Sequence, residues 1–264
     1  VITDDDMTAS IYPLLRKAQV VVAASPVFFY NVTSQLKALI DRTQALWSRK
    51  YRFRLSDPLS TSRKGFFLSM GGSRGKKLFD GIHLVATYFF DAIDADYSGS
   101  LTYPEIETAG DFQKMPDLDI EISKAAHVLM SSLCERKRIL FVGKHDDIRI
   151  QMAGALTQYH AGNRFHVVTS GKESGLEIHP GVVKAMAEIG IDMAFLQTRS
   201  LSNALQDYRP YIIVTMDNDI EIPAIPNITT SVWNLPDPGH ASSEMIVQLR
   251  DQIRGNITRM TADR

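Results

Sequence analysis

The chain has 264 residues, 44% of them apolar and 22% charged, which is ordinary for a globular protein of one large or two small domains. A net charge of −1 argues against a basic nucleic-acid surface, and no apolar run or leader pattern indicates a membrane span or secretion, so we expect a cytoplasmic protein. The single cysteine, Cys134, excludes an internal disulfide and a cysteine-ligated metal cluster within this chain.

A short helix is the first predicted element. The acidic run 4–6 suits the first turn of a helix, where free N–H groups carry partial positive charge. Ile11, Leu14 and Leu15 would form its apolar face. A cation held by the acidic run is the alternative, and we favour the helix start.

A buried strand, an aromatic turn and a covering helix follow. Residues 20–24 are all apolar, which predicts a strand buried on both faces of a parallel sheet. Pro26 ends it, because proline cannot donate to a sheet ladder. The aromatic turn Phe28-Phe29-Tyr30 then lies at the carboxyl end of the strand, where α/β sheets bind ligands. Alternatively, Phe28 and Phe29 fill the core and Tyr30 covers it. A helical stripe follows, made of Val32, Leu36, Leu39, Ile40, Thr43, Leu46 and Trp47.

A second strand at 65–70 ends in a glycine-rich turn, GGSRGKK at 71–77. Glycines let backbone N–H groups approach a ligand closely. At the end of a neighbouring strand, this turn would face the same crevice as the aromatic turn. The spacing then predicts a covering helix over 78–93 and another helix over 117–134.

Residues 94–105 match the ligand spacing of an EF-hand calcium loop. Pro104 stands where the exiting helix should begin, and no second such loop exists in the sequence. We therefore favour a strand at 101–106 and expect no metal site.

The stretch SPVFFYNVTSQLKALIDRTQALW is similar to the second flavin loop and following helix of flavodoxin-like NAD(P)H-dependent FMN reductases, most closely the branch that includes iron-sulfur flavoproteins. The resemblance runs to about Cys134. That family begins with a strand, a phosphate loop and a second strand ahead of this point. The first domain is thus expected to be incomplete at its N-terminus, and an upstream iron-sulfur cysteine cluster stays an open question.

The resemblance implies FMN and NAD(P)H as cofactors and a homo-oligomer. The implied cofactor-binding residues are Pro26, Val27, Phe28, Phe29, Tyr30, Asn31, Gly71 and Gly72, with Arg74 a weaker candidate for phosphate. It implies no catalytic side chain in the strict sense, since the flavin supplies the chemistry.

The second half again alternates strands and helices. Strands are predicted at 139–142, 165–169, 211–215 and 229–233, with helices between them and a last helix at 244–257. The charged run 135–138 precedes the first of these strands. We therefore predict two domains, 1–135 and 136–264, each a three-layer parallel-sheet α/β fold.

This half resembles the low-molecular-weight tyrosine phosphatase and arsenate reductase family through ILFVGKHDDIRIQMA, SGKESGLEIHPGVVKAMAEIGID and WNLPDP. The family holds an oxyanion in a loop containing a cysteine, five residues and an arginine, and a late aspartate protonates the leaving group. Arg149 matches the arginine and Asp237 the acid. Gly143 stands at the position of the nucleophile.

Glycine cannot form the covalent intermediate, and Cys134 precedes the strand, so we predict a pseudoenzyme domain. A weak anion or metal site at His145 with Asp146 and Asp147 is the alternative. The predicted function is an NAD(P)H-dependent flavin oxidoreductase with an inactive phosphatase-like domain. The alternatives are a non-enzymatic sensor or interaction protein, and an arsenate reductase or tyrosine phosphatase relative with residual anion binding.

Overall fold

The computed structural model describes residues 6–143, 148–170, 178–196, 209–220, 222, 226, 228–236 and 242–262. The chain divides into two compact units. The three-stranded unit comprises residues 18–54 and 62–134, and the four-stranded unit comprises residues 1–17, 55–61 and 135–264. All paired strands are parallel, so the prediction of two parallel-sheet α/β regions is confirmed.

The elements follow one another in α/β order. The strands are β1 (Val20–Pro26), β2 (Lys64–Gly71), β3 (Asp96–Pro104), β4 (Lys137–Val142), β5 (Phe165–Ser170), β6 (Ile212–Thr215) and β7 (Thr229–Val232). The helices are α1 (Tyr12–Lys17, after a π-helical turn at Met7–Ile11), α2 (Ser34–Arg42), α3 (Gln44–Tyr51), α4 (Asp80–Ala92), α5 (Ala109–Phe112), α6 (Leu118–Cys134), α7 (Ile148–Ala161), α8 (Pro180–Ala187) and α9 (Ser243–Ala262).

The three-stranded sheet has the order β1-β2-β3. Pro26 pairs with Met70, and Gly71 pairs with Pro104, so the three strands end at one edge. Gly65 has no room for a side chain, because a Cβ there would lie 2.3 Å from the Phe90 ring of α4. That close approach lets α4 cover one face of the sheet.

The prediction that β1 is buried on both faces is wrong. Its side chains alternate, with Ala23 buried and Val22 51% exposed. Leu68 and Met70 on β2 are also exposed. A side chain period of two puts these exposed residues on the face opposite α4, and that face is not fully covered by the described residues.

The four-stranded sheet has the order β5-β4-β6-β7, which places β4 between two partners. Ile139, Leu140 and Phe141 are completely buried there. Val142 pairs with both Ser170 and Thr215, so the carboxyl ends of β4, β5 and β6 lie side by side. The loop that follows β4 therefore starts at the ligand-binding edge of this sheet.

A buried ion cluster fixes two sequence-distant segments in the four-stranded unit. The Arg16 guanidinium lies 2.5 Å from a carboxylate oxygen of Asp57 and 2.5 Å from one of Asp192. The segment 55–61 also pairs its backbone with this unit, since Ser56 N–H donates to Gly190 C=O at 2.8 Å. The domain boundary predicted at 135/136 assigns residues 1–17 and 55–61 to the first domain. That boundary stays a prediction. Of the predicted apolar face of the first helix, Ile11 and Leu15 are half-buried, whereas Leu14 is exposed and the polar Arg16 is buried.

The calcium alternative at 94–105 is wrong. Residues 96–104 form β3, and Asp96 pairs with Lys64 of β2 instead of facing a shared ion. Within the described ranges, no group of His, Cys, Asp and Glu is arranged to hold a metal. No helix in the described part of the chain combines the length and apolarity needed to cross a membrane.

Candidate functional site

The aromatic turn after β1 is a tight two-residue turn with an unusual backbone. Phe28 N–H donates to Asn31 C=O at 2.8 Å, and Asn31 N–H donates back to Phe28 C=O at 3.0 Å. The two central residues, Phe29 and Tyr30, have φ values of 49° and 62°. Such turns normally carry Gly or Asn, because the left-handed region costs other residues roughly 1–2 kcal/mol. Strain of this kind clusters at ligand sites.

The three aromatic side chains of this turn point to solvent. Phe28 is 60% exposed, Phe29 102% and Tyr30 51%. The alternative that Phe28 and Phe29 fill the core is therefore wrong. Among the described residues, none of the three rings packs on another ring, and the backbone N–H groups of Phe29 and Tyr30 donate no hydrogen bond. The turn thus offers free aromatic faces and free donors.

Neighbouring groups hold the turn in place. Thr33 N–H donates to the Ser25 hydroxyl at 3.0 Å, and the Thr33 side chain caps α2 by accepting from Leu36 N–H. The Tyr30 carbonyl rests on Gly81 of α4, where a Cβ would lie 2.1 Å from that oxygen. A ligand at this turn would therefore meet a preorganised surface.

The turn after β2 lies directly beside the aromatic turn. Val27 N–H donates to Met70 C=O at 2.8 Å, so the two predicted turns meet. Gly71 is buried, and a Cβ there would lie 2.8 Å from Leu78, which makes this glycine a packing requirement. Gly72 is exposed, with Glu107 as its nearest neighbour.

Arg74 follows on the rim of a cavity that sequence reasoning missed. Its guanidinium is paired with the Glu105 carboxylate, and both side chains are largely exposed. The cavity measures about 620 Å³ and lies between this turn, the start of α4 and the end of β3. It also contains His83, whose Nδ1 lies 3.0 Å from the Tyr97 hydroxyl. Its β3 wall belongs to the strand predicted at 101–106, which in the structure spans Asp96–Pro104.

In the four-stranded unit, the structure describes two of the predicted phosphatase-like residues, Gly143 and Arg149. Gly143 is buried at the end of β4, and its N–H donates to Ser170 C=O at 3.2 Å. Arg149, in the first turn of α7, is only 2% exposed. Its guanidinium donates to both Asp217 carboxylate oxygens at 3.0 Å and to Leu235 C=O at 2.9 Å. The arginine that matches the oxyanion binder is thus engaged by a carboxylate of the same chain.

Asp217 is the partner of Arg149 that sequence reasoning missed. It comes two residues after β6, which pairs with β4, so its position at the same sheet edge was a usable signal. The predicted His145 and Asp237, together with Asp146 and Asp147, lie outside the described residues.

Fold and site together define a parallel-sheet α/β chain with an exposed aromatic turn in one unit and a buried, carboxylate-paired arginine in the other. Residues 2–87 match the family model described as NADPH-dependent FMN reductase. Over the other region, the chain is 29% identical to arsenate reductase 1 of Staphylococcus epidermidis, across 126 residues that make up 47% of this chain and 94% of that protein. It is 26% identical to glutaredoxin arsenate reductase of Synechocystis sp. across 130 residues, 48% of this chain and 97% of that protein.

Two solved structures show the same partial likeness. An arsenate reductase in the phosphate binding state covers 48% of this chain and 98% of its own, with 25% identity and a TM-score of 0.42. The YwlE arginine phosphatase from Geobacillus stearothermophilus covers 48% and 92%, with 22% identity and a TM-score of 0.44. From the sequence matches, the predicted fusion of an FMN-reductase-type region with an arsenate-reductase-type region is confirmed.

Proposed function

We propose that this chain is an NAD(P)H-dependent flavin oxidoreductase that binds FMN at the aromatic turn. The observation that carries the proposal is the strained, exposed turn Phe28–Asn31 beside the turn after β2. The family match over residues 2–87 supports the same chemistry. The residues fit a planar ring, since free aromatic faces and free backbone donors occur together there.

The roles of the residues follow from their positions. Phe29 would stack on the isoalloxazine ring, and the N–H groups of Phe29 and Tyr30 would donate to its polar edge. Gly72 would leave space at the neighbouring turn, while Gly71 would act only through packing. Bound flavin supplies the transfer of reducing equivalents from the nicotinamide. The protein therefore contributes binding and orientation, and no side chain acts as acid or base.

We further propose that the four-stranded unit has lost the cysteine chemistry of its relatives. Gly143 has no side chain to attack phosphorus or arsenic, and the single cysteine lies at the end of α6 in the other unit. Arg149 is neutralised by Asp217, so an oxyanion would have to displace a bidentate carboxylate. This unit would then serve as a scaffold without turnover.

Titration of the purified chain with FMN, followed by flavin fluorescence, tests the redox proposal. We expect Phe29→Ala to weaken FMN binding about ten-fold, the equivalent of roughly 1.4 kcal/mol of lost stacking. Phe53→Ala is the matched control, because Phe53 is also exposed but lies outside the turn. Oxidation of NADPH in the presence of FMN should fall in parallel with binding. Full-length wild-type protein, including any residues that precede Val1, that leaves FMN fluorescence unchanged would refute the proposal.

A further inference from the structure

The cavity beside Arg74 combines two kinds of surface. Its volume of about 620 Å³ lies within the roughly 300–1,000 Å³ range of small-molecule pockets. Leu78, Phe79 and Pro104 contribute apolar wall. Arg74 and Lys77 contribute cationic groups, and Asp80 and Glu105 contribute carboxylates. A ligand that carries both a flat ring and a phosphate group matches this lining.

Strained backbone and cationic side chains that are weakly paired or unpaired among the described residues both indicate a ligand site here. Lys77 and Glu105 have φ values of 62° and 60°, in the left-handed region that side chains normally avoid. Within the described ranges, Lys77 has no carboxylate partner. The pair between Arg74 and Glu105 is solvent-exposed, and such pairs contribute little to stability. An incoming anion can therefore take over Arg74 at small cost.

The cavity is continuous with the aromatic turn. Gly75 lines the cavity, and a Cβ at Gly75 would lie 3.0 Å from the Tyr30 hydroxyl. Neighbouring strands are roughly 4.8 Å apart, so the ends of β1 and β3 are separated by about 10 Å. An extended dinucleotide can span that distance from one site to the other.

We propose that the cavity binds the adenosine end of the nicotinamide dinucleotide, with Arg74 and Lys77 holding the 2′-phosphate that distinguishes NADPH from NADH. His83 and Thr102 line the same cavity and supply polar groups for the ribose. The assignment of this ligand rests on the proposed redox function. The interaction itself needs no flavin, so it is measurable separately.

Calorimetric titration of the full chain with adenosine 2′,5′-bisphosphate, in the absence of flavin, tests the inference. We expect this probe to bind more tightly than adenosine 5′-monophosphate. Lys77→Ala and Arg74→Ala should each weaken it about five- to ten-fold, the loss of one charge-assisted contact. Glu105→Gln should strengthen it, because it removes the competing carboxylate from Arg74. Lys124→Ala, a like charge change on α6, is the matched control and should bind as wild type.

The opposite signs expected for Arg74→Ala and Glu105→Gln separate the inference from general unfolding. Equal binding of the two adenosine probes, or equal affinities in all variants, would overturn it. In turnover with FMN, Lys77→Ala should raise the KM for NADPH more than that for NADH. A chain that binds the bisphosphate with this residue dependence but never binds FMN would refute the redox proposal and leave the nucleotide site standing.

Discussion

Phe29, in the turn after β1, and Arg149, in the first turn of the helix after β4, both follow a parallel strand of their sheet, yet their side chains are in opposite states. Phe29 is fully exposed on a strained backbone. Arg149 is almost completely buried, and its donors are used by Asp217 and Leu235. A sheet edge provides a possible ligand site, and the pairing of the side chains there decides whether the site is open. In this chain the first edge presents an unused aromatic ring, whereas at the second edge the arginine is paired with Asp217 and Leu235.

The largest effect expected from this comparison is the loss of stability on removing Arg149. Arg149→Ala leaves the Asp217 carboxylate and the Leu235 carbonyl without their partner, which should lower the free energy of unfolding by about 3–5 kcal/mol. Denaturant unfolding measures it when followed by the fluorescence of Trp233, which packs on Phe141, with Trp47 replaced by Phe in both proteins. Arg138→Ala, an exposed cation on β4, should have little effect.

Aryl phosphate hydrolysis completes the test at Arg149. We expect only background hydrolysis from the wild-type chain and from Arg149→Ala. Activity in the wild type that disappears in the variant would show that the loop is still a working phosphatase site, and the contrast between the two edges would be lost.

An intermediate effect is expected from the strained backbone of the aromatic turn. Phe29→Gly and Phe29→Ala both remove the ring, but only glycine relieves the left-handed conformation. The glycine variant should be more stable than the alanine variant by about 1 kcal/mol. At Phe53, which has an ordinary φ, the order should reverse, because glycine gains more entropy in the unfolded chain. Equal stabilities of the two Phe29 variants would mean that the turn is not strained.

The smallest expected effect is a pH-dependent change in stability from Asp111. This residue lies in the segment after β3, at the carboxyl end of the three-stranded sheet. Hydrogen bonds from Lys114 and from the N–H groups of Thr108 and Glu107 lower the pKa of the Asp111 carboxyl below its ordinary value. The stabilisation is present above the pKa of the unfolded chain, roughly 3.9, and is lost as pH falls through the folded value. Asp111→Asn should therefore lower stability at neutral pH and match the wild type in acid.

Denaturation midpoints of wild type and Asp111→Asn across the pH range measure this difference. NMR titration of the Asp111 carboxyl gives its pKa directly. A gap between the two proteins that stays constant down to the lowest pH would contradict the assigned cause and leave the cap of α5 dependent on something other than the ionised carboxylate.

Much of the fold followed from local pattern, because an apolar run between turn residues predicts a strand wherever it packs. The strands predicted at 65–70 and 229–233 begin and end within one residue of β2 and β7. The strand predicted at 139–142 ends with β4 but begins two residues late. The helical stripe predicted from Val32 to Trp47 is divided at Thr43 into α2 and α3, since a periodic stripe does not reveal a local break. The EF-hand spacing at 94–105 shows that a motif can also match by chance, since this segment forms strand β3 instead of a calcium loop.

By itself, the sequence determined the two parallel α/β regions, the family resemblances and the glycine at position 143 where the resembled family has its cysteine, because hydrophobic period and residue identity can be read directly from the chain. Only the tertiary structure decided that Phe29 is exposed, that Asp217 occupies Arg149, and that Arg16 joins Asp57 and Asp192. These facts depend on contacts between residues that are distant in sequence, and the local pattern of apolar and polar residues does not predict such contacts.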